Sequence, residues 1–194
     1  MLPTRGSRRS ALLAPGRAVA IGLGLLLLLL AAGNARAQGL CTAPANNNHE
    51  QGWLDVTWTG TGCTGVGNFG QAVPGVNADV VIPNLSTIRC GTTPTLTTMA
   101  VNAGGVLRMG SGVAEGTLAI KGDLTNNGTI ENRPATTWIN SIAVGGRWTN
   151  NGTFTPGTTT PRIDVTLNGT SAQTIGGSKS TTFNNLTISG SGTK

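Results

Sequence analysis

Apolar residues recur in short triplets along the second half of the chain. Met99-Ala100-Val101, Leu118-Ala119-Ile120, Ile142-Ala143-Val144, Val165-Thr166-Leu167 and Leu186-Thr187-Ile188 each set two apolar residues around a small or hydroxylic one. Alternation with period two places the outer pair on one face of an extended strand. The triplets that start at 118, 142, 165 and 186 are separated by 24, 23 and 21 residues. A longer phrase carries the same spacing. Leu118–Ile130 returns as Ile142–Phe154, and Asn126-Asn127-Gly128-Thr129 recurs unchanged as Asn150-Asn151-Gly152-Thr153. A fixed period in the twenties predicts one supersecondary unit stacked on copies of itself.

Each repeat holds three apolar rows. Leu118, Ile142, Val165 and Leu186 form the first. Leu124 and Trp148 predict a second, and Ile130, Phe154 and Ile175 a third. Three short strands per coil predict an all-β fold, a single-stranded parallel β-helix, with each strand about 4.8 Å from its equivalent in the next coil. The hand expected of parallel crossovers is right. An antiparallel β-sandwich is the alternative, since it also uses many short strands. The near-verbatim repeat favours the solenoid. Gly, Asn and Thr disfavour helix throughout the same region.

The first 37 residues follow another pattern. Arg5, Arg8, Arg9 and Arg17 precede an uncharged apolar run from Ala18 to Ala32, and Ala35-Arg36-Ala37 supplies a small-x-small cleavage site. This is the layout of a signal peptide, residues 1–37, and predicts export to the cell surface, the extracellular space or the periplasm. The run is shorter than the about 20 residues of a membrane span. Membrane contact is therefore expected only through the signal or through a missing C-terminal part. Residues 84–194 are expected to be the β-helix repeats, incomplete at the C-terminus because the chain stops just after a strand triplet. Residues 38–83 are expected to be a lead-in and an N-terminal cap.

Loss of the signal alters the charge. Five of the 13 Lys and Arg leave with it, all seven acids stay, and the remainder is net +1. The remaining positive residues are scattered singly along the sequence, so nucleic acid is excluded as a partner, because its binding needs a clustered basic face.

Gly52-Trp53-Leu54-Asp55-Val56-Thr57-Trp58, then Val73-Pro74-Gly75-Val76-Asn77-Ala78-Asp79-Val80-Val81-Ile82-Pro83, resembles the opening of secreted bacterial adhesin-like and autotransporter-type parallel β-helix proteins. The resemblance covers about 30 residues. It implies a surface-exposed, non-catalytic structural or adhesive rod whose ligand is an unknown surface group or glycan. The residues support a cap on their own account. A stacked coil exposes unpaired backbone at its end, and an atypical terminal segment must cover it. Two Trp in six residues suit that purpose.

The candidate chemistry is sparse. Trp53, Trp58 and Trp148 are the residues that could form a glycan platform, although a role in core or cap is favoured for all three. The alternative to the structural role is thus a polysaccharide-active enzyme or a carbohydrate-binding module. Such an enzyme needs two carboxylates, or a carboxylate with Arg or Lys, on one face. The acids Glu50, Asp55, Asp79, Glu115, Asp123, Glu131 and Asp164 form no such group in the sequence. Asp123 and Arg147 occupy equivalent repeat positions, a pairing typical of a surface ion pair. No catalytic residue, metal ligand or cofactor is predicted. His49 is the single histidine, and no Cys-x-x-Cys occurs. The Asn-Gly pairs predict corners with positive φ and Asn ladders between coils rather than glycosylation or calcium sites. Cys41, Cys63 and Cys90 allow one disulfide. Cys63–Cys90 is the preferred pair, with Cys41–Cys63 the alternative.

Overall fold

The apolar triplets become strands, and each strand lies parallel to its equivalent one coil on. A computed structural model describes residues 39–194 apart from 47–48, 68–71, 92, 94 and 135–136. The expected signal segment lies outside the described residues. The first coil holds β1 (Leu40–Thr42) and β2 (Glu50–Gly52), followed by a hairpin of β3 (Gly65–Val66) and β4 (Ala72–Val73). The second holds β5 (Asp79–Ile82) and β6 (Thr87–Cys90). The third holds β7 (Thr98–Val101), β8 (Val106–Met109) and β9 (Thr117–Ile120). Next come β10 (Leu124–Asn126), β11 (Thr129–Asn132) and β12 (Ile139–Val144), then β13 (Trp148–Asn150), β14 (Thr153–Thr155) and β15 (Arg162–Leu167). The last coil has β16 (Ile175–Gly176) and β17 (Asn185–Ile188).

Three parallel sheets result, ordered β1-β5-β7-β10-β13-β16, β2-β6-β8-β11-β14 and β9-β12-β15-β17. The fold is a parallel β-helix of about five turns. No strand of these sheets pairs antiparallel with another, as a sandwich would require. The repeat sets the register. Leu118 lies opposite Ile142, Ile142 opposite Val165, and Val165 opposite Leu186. Leu124 lies between Met99 and Trp148, and Ile130 between Leu107 and Phe154. One row differs from expectation. Ile175 pairs with Trp148 in the second row and not with Phe154 in the third, because the connection after β15 is longer than those after β9 and β12.

Inward residues stack like on like and are buried, including Ile88, Leu96, Leu107, Leu118, Leu124, Ile130 and Val144. Each side chain of this kind contributes about 1.5–3 kcal/mol when fully buried. Three Asn share the interior: Asn126, Asn140 and Asn150. Asn126 and Asn150 are fully buried, and Asn126 Nδ2 donates to Asn150 Oδ1 at 2.9 Å and to the Thr153 carbonyl at 2.9 Å. The outer pair, Asn127 and Asn151, forms a second rung at 2.9 Å on the exposed side. The expected Asn ladder is therefore present. The glycines beside it serve another need than expected. Gly128 and Gly152 do not have positive φ. A Cβ on Gly152 would instead lie 2.1 Å from the Gly128 carbonyl oxygen, so stacked corners require glycine for close approach.

The N-terminal coil starts earlier than the sequence suggests. Residues 40–42 and 50–52 carry no alternation of their own, yet β1 pairs with β5 and β2 with β6. Part of the expected lead-in is thus the first coil. The free edge of β1 is covered. Thr42 and Thr59 exchange backbone hydrogen bonds of 2.8 and 3.0 Å in an antiparallel bridge, and Gly62 N donates to the Leu40 carbonyl. Cys41 is bonded to Cys63 across this seam, with Cα atoms 5.1 Å apart. The expected Cys63–Cys90 pair is corrected. Cys90 points into the second coil opposite Met109, fully buried and unoxidised, whereas the antiparallel segment carries Cys63 to β1. Trp53 and Trp58 sit beneath the seam with ring centroids 4.6 Å apart, and Trp58 Nε1 donates to the Trp53 carbonyl.

The other end is open. Ile175, Leu186 and Ile188 hold inward register positions, yet Ile188 is 55% exposed and its neighbours are nearly as open.

Candidate functional site

Stacking brings together charges that are far apart in sequence. On the outer face of the second sheet, Gly52, Arg89, Arg108 and Glu131 follow one another in register. Glu50, at the other end of β2, becomes their common acceptor. Its Oε1 accepts from Arg89 Nη1 at 3.3 Å and from Arg133 Nε at 2.8 Å, and its Oε2 accepts from Arg108 Nη1 at 3.1 Å. Arg108 Nε also donates to Glu131 Oε1 at 2.7 Å, and Arg89 Nη2 lies 3.6 Å from Asp55 Oδ2. Three arginines and three carboxylates thus form one network that spans four coils.

The network fixes its protonation states. Burial pushes the Glu50 carboxyl up, but hydrogen bonds from Arg133 and Arg108, with the Arg133 charge and the Arg89 bond, outweigh it. The carboxyl is held below its ordinary value. The Arg108 guanidinium is raised, first by its hydrogen bond to Glu131, against a smaller opposing effect of burial. Glu50 is therefore an ionised acceptor near neutral pH and has no proton to donate. The members are only partly buried, so each pair taken alone contributes little, up to about 1 kcal/mol.

A cleft of about 350 Å³ opens beside Arg89. It is lined by Gly52, Trp53, Leu54 and Asp55, by Arg89 and Gly91, and by Ser111, Val113 and Ala114 of the β8–β9 connection. A Cβ on Gly52 would fall 2.1 Å from Asp55 Oδ2, so glycine lets that carboxylate fold back over the strand towards Arg89. A second concavity, about 340 Å³, lies over the third sheet between Lys121, Gly145 and Asn168, where Ala119 and Ala143 leave the surface low.

The residues singled out in the sequence do not assemble into a platform. Trp53, Trp58 and Trp148 are 2%, 1% and 0% exposed. Trp148 packs against Phe154 and Phe183 at 5.0 and 5.3 Å. None offers an open ring face, which corrects the expectation that they could form a glycan platform. Asp123 does meet Arg147, but its Oδ1 accepts from the Arg147 backbone amide at 2.7 Å, not from the guanidinium. Asp79 lies in β5 and accepts from Thr98 Oγ1 at 2.5 Å, a contact within one sheet. His49 is exposed on a loop. Among the described residues no three His, Cys, Asp or Glu converge as metal ligands. The arginine–carboxylate network was missed in the sequence, where its bonded members are separated by 23 to 83 residues. The only available signal was the coil register that stacks Arg89 on Arg108 and Arg108 on Glu131.

Compared with known proteins, the chain matches no family model, no curated protein and no solved structure.

Proposed function

We propose that this chain is an exported, non-catalytic rod whose parallel β-helix presents a surface for adhesion or for structural contact. The observation that carries this reading is the state of Glu50. Three arginines hold it ionised, so Glu50 does not supply the protonated acid that glycoside cleavage requires. Trp53, Trp58 and Trp148 favour the same reading, since they fill the interior and cap and offer no open ring face, while Trp138 is only partly buried. The Cys41–Cys63 bond is compatible with an oxidising compartment. The Trp53–Trp58 and Val73–Pro83 segments supply the resemblance to adhesin-like proteins.

Two measurements test the proposal. The purified protein is incubated with a panel of neutral and acidic polysaccharides, and reducing ends and unsaturated products are assayed. No turnover is expected. Beads coated with the protein should be retained on at least one of the same polysaccharides or on a cell surface. Product release that disappears in Glu50→Gln or Glu131→Gln would replace display with catalysis.

A further inference from the structure

We infer that the cleft between Asp55, Arg89 and the β8–β9 connection is a binding site for one neutral saccharide unit. The inference deepens the reading of the chain as a presenting surface and rests on it.

Charge selects the class of ligand. Arg89 is flanked by Glu50 and Asp55, and the whole network holds three positive and three negative groups. An anion entering the cleft meets Asp55, and a cation meets Arg89. A neutral hydroxylated molecule meets neither penalty. The Arg89 Nη2 to Asp55 Oδ2 separation of 3.6 Å is longer than a direct hydrogen bond. A hydroxyl at that gap accepts from Arg89 and donates to Asp55, the insertion expected of a polar contact of this length.

Unmet hydrogen bonding at the same place supports the assignment. Trp53 Nε1 and Arg89 Nε are buried donors without an acceptor, and both residues line the cleft. A buried N–H left unpaired costs about 1–3 kcal/mol, so a small shift of the cleft wall that brought a ligand oxygen to either donor would be favoured. Leu54 and Val113 provide apolar wall for the C–H face of a sugar ring, and Val113 is 86% exposed, open to a ligand. The volume of about 350 Å³ is enough for a single unit.

Isothermal titration tests this with the whole protein. The titrants are methyl glycosides of neutral hexoses and N-acetylhexosamines, with inorganic phosphate and a hexuronate as charged controls. At least one neutral glycoside should bind at millimolar concentration, more tightly than either control. Asp55→Ala, which removes an acceptor, and Ala114→Trp, which fills the mouth from an exposed loop, should each weaken binding by roughly tenfold or more. The Ala114→Trp variant keeps every network charge and should keep the wild-type melting temperature. The site assignment is overturned by absence of neutral glycoside binding, by stronger binding of a charged control, or by binding that survives both variants. In each of those cases bead retention without turnover still leaves the presenting rod intact, whereas turnover removes the rod reading itself.

Discussion

Substitution of Asn126 by alanine isolates what the interior ladder contributes. The Asn126 amide donates to Asn150 Oδ1 and to the Thr153 carbonyl, and its Oδ1 accepts from Gly128 N at 3.2 Å. Alanine leaves all three groups without that partner. Each such loss costs about 1 kcal/mol at the low end, and the void left by the amide adds about 1 kcal/mol more. The expected destabilisation is therefore about 3–4 kcal/mol, or roughly 10 °C in melting temperature for a domain of this size. Asn150→Ala removes the Asn126 acceptor and the donor to the Ser180 carbonyl, and should cost about 2 kcal/mol. The double variant should cost less than the two singles together by about 1–2 kcal/mol, because the two amides serve each other. Urea unfolding followed by tryptophan emission and by far-ultraviolet circular dichroism provides the assay. Coincidence of the two transitions establishes that the coils unfold together, as the free energies require. Asn151→Ala, on the exposed rung, is the control and should stay within about 0.5 kcal/mol of wild type. A cost below about 1 kcal/mol for Asn126→Ala, or strict additivity in the cycle, would show that the inner amides do not hold the coils.

Five further outcomes follow from the structure and the sequence. Replacing Cys41 and Cys63 by serine opens a link of sequence separation 22 and should lower stability by about 3 kcal/mol, read as a drop in urea midpoint that reductant reproduces in wild type. Glu50 is depressed in the folded state, so its contribution is present above the ordinary carboxyl value of 4.5 and is lost as pH falls through the folded value. Glu50→Gln should flatten the acid limb of the melting profile, and an unchanged limb would refute the arrangement. Burial pushes the Cys90 thiol up to about 12 from 9.0, so the unfolded chain ionises first and stability should fall as pH rises across that window. The same thiol should react with a thiol reagent only after unfolding, and labelling of the native protein at the rate of a free thiol would contradict its placement. Mass spectrometry of protein secreted from an expressing bacterium should find the N-terminus at Gln38, and retention of residues 1–37 would refute the predicted cleavage.

The repeat body was legible because its inward positions carry the same residue class in each coil. Leu118, Ile142, Val165 and Leu186 sit in register for the reason that made them visible, which is that like side chains stack. Ile175 was misplaced because counting by period ignores changes in corner length. The connection over residues 168–174 carries Gln173 inward, where its Nε2 donates to the carbonyls of Val144 and Gly146, and this plug displaces the next strand along the chain. The first coil was illegible for a different reason. Leu40–Thr42 and Glu50–Gly52 borrow their conformation from β5 and β6, and three-residue strands carry too little alternation to declare themselves. Cys41–Cys63 stood only as the alternative disulfide, since the antiparallel return of residues 59–62 that brings the two together depends on backbone pairing. The charge network lay furthest from view. Arg133 and Glu50 are 83 residues apart, and no local pattern relates them until the coils are stacked.

The corners of this molecule vary in length while the register of its stacked strands is kept. Between the first two sheets the chain crosses in the few residues of Asn151-Gly152, and between β14 and β15 it takes the longer path over residues 156–161. Thr158, Thr159 and Thr160 at that path's tip are exposed and contribute no inward side chain. A foreign peptide spliced there would lengthen a corner and leave every ladder contact in place. One residue added within β12 would turn the apolar face of that strand outwards. The coil therefore sorts insertions by position, and an epitope carried at residues 158–160 would sit at a fixed height on a stiff support.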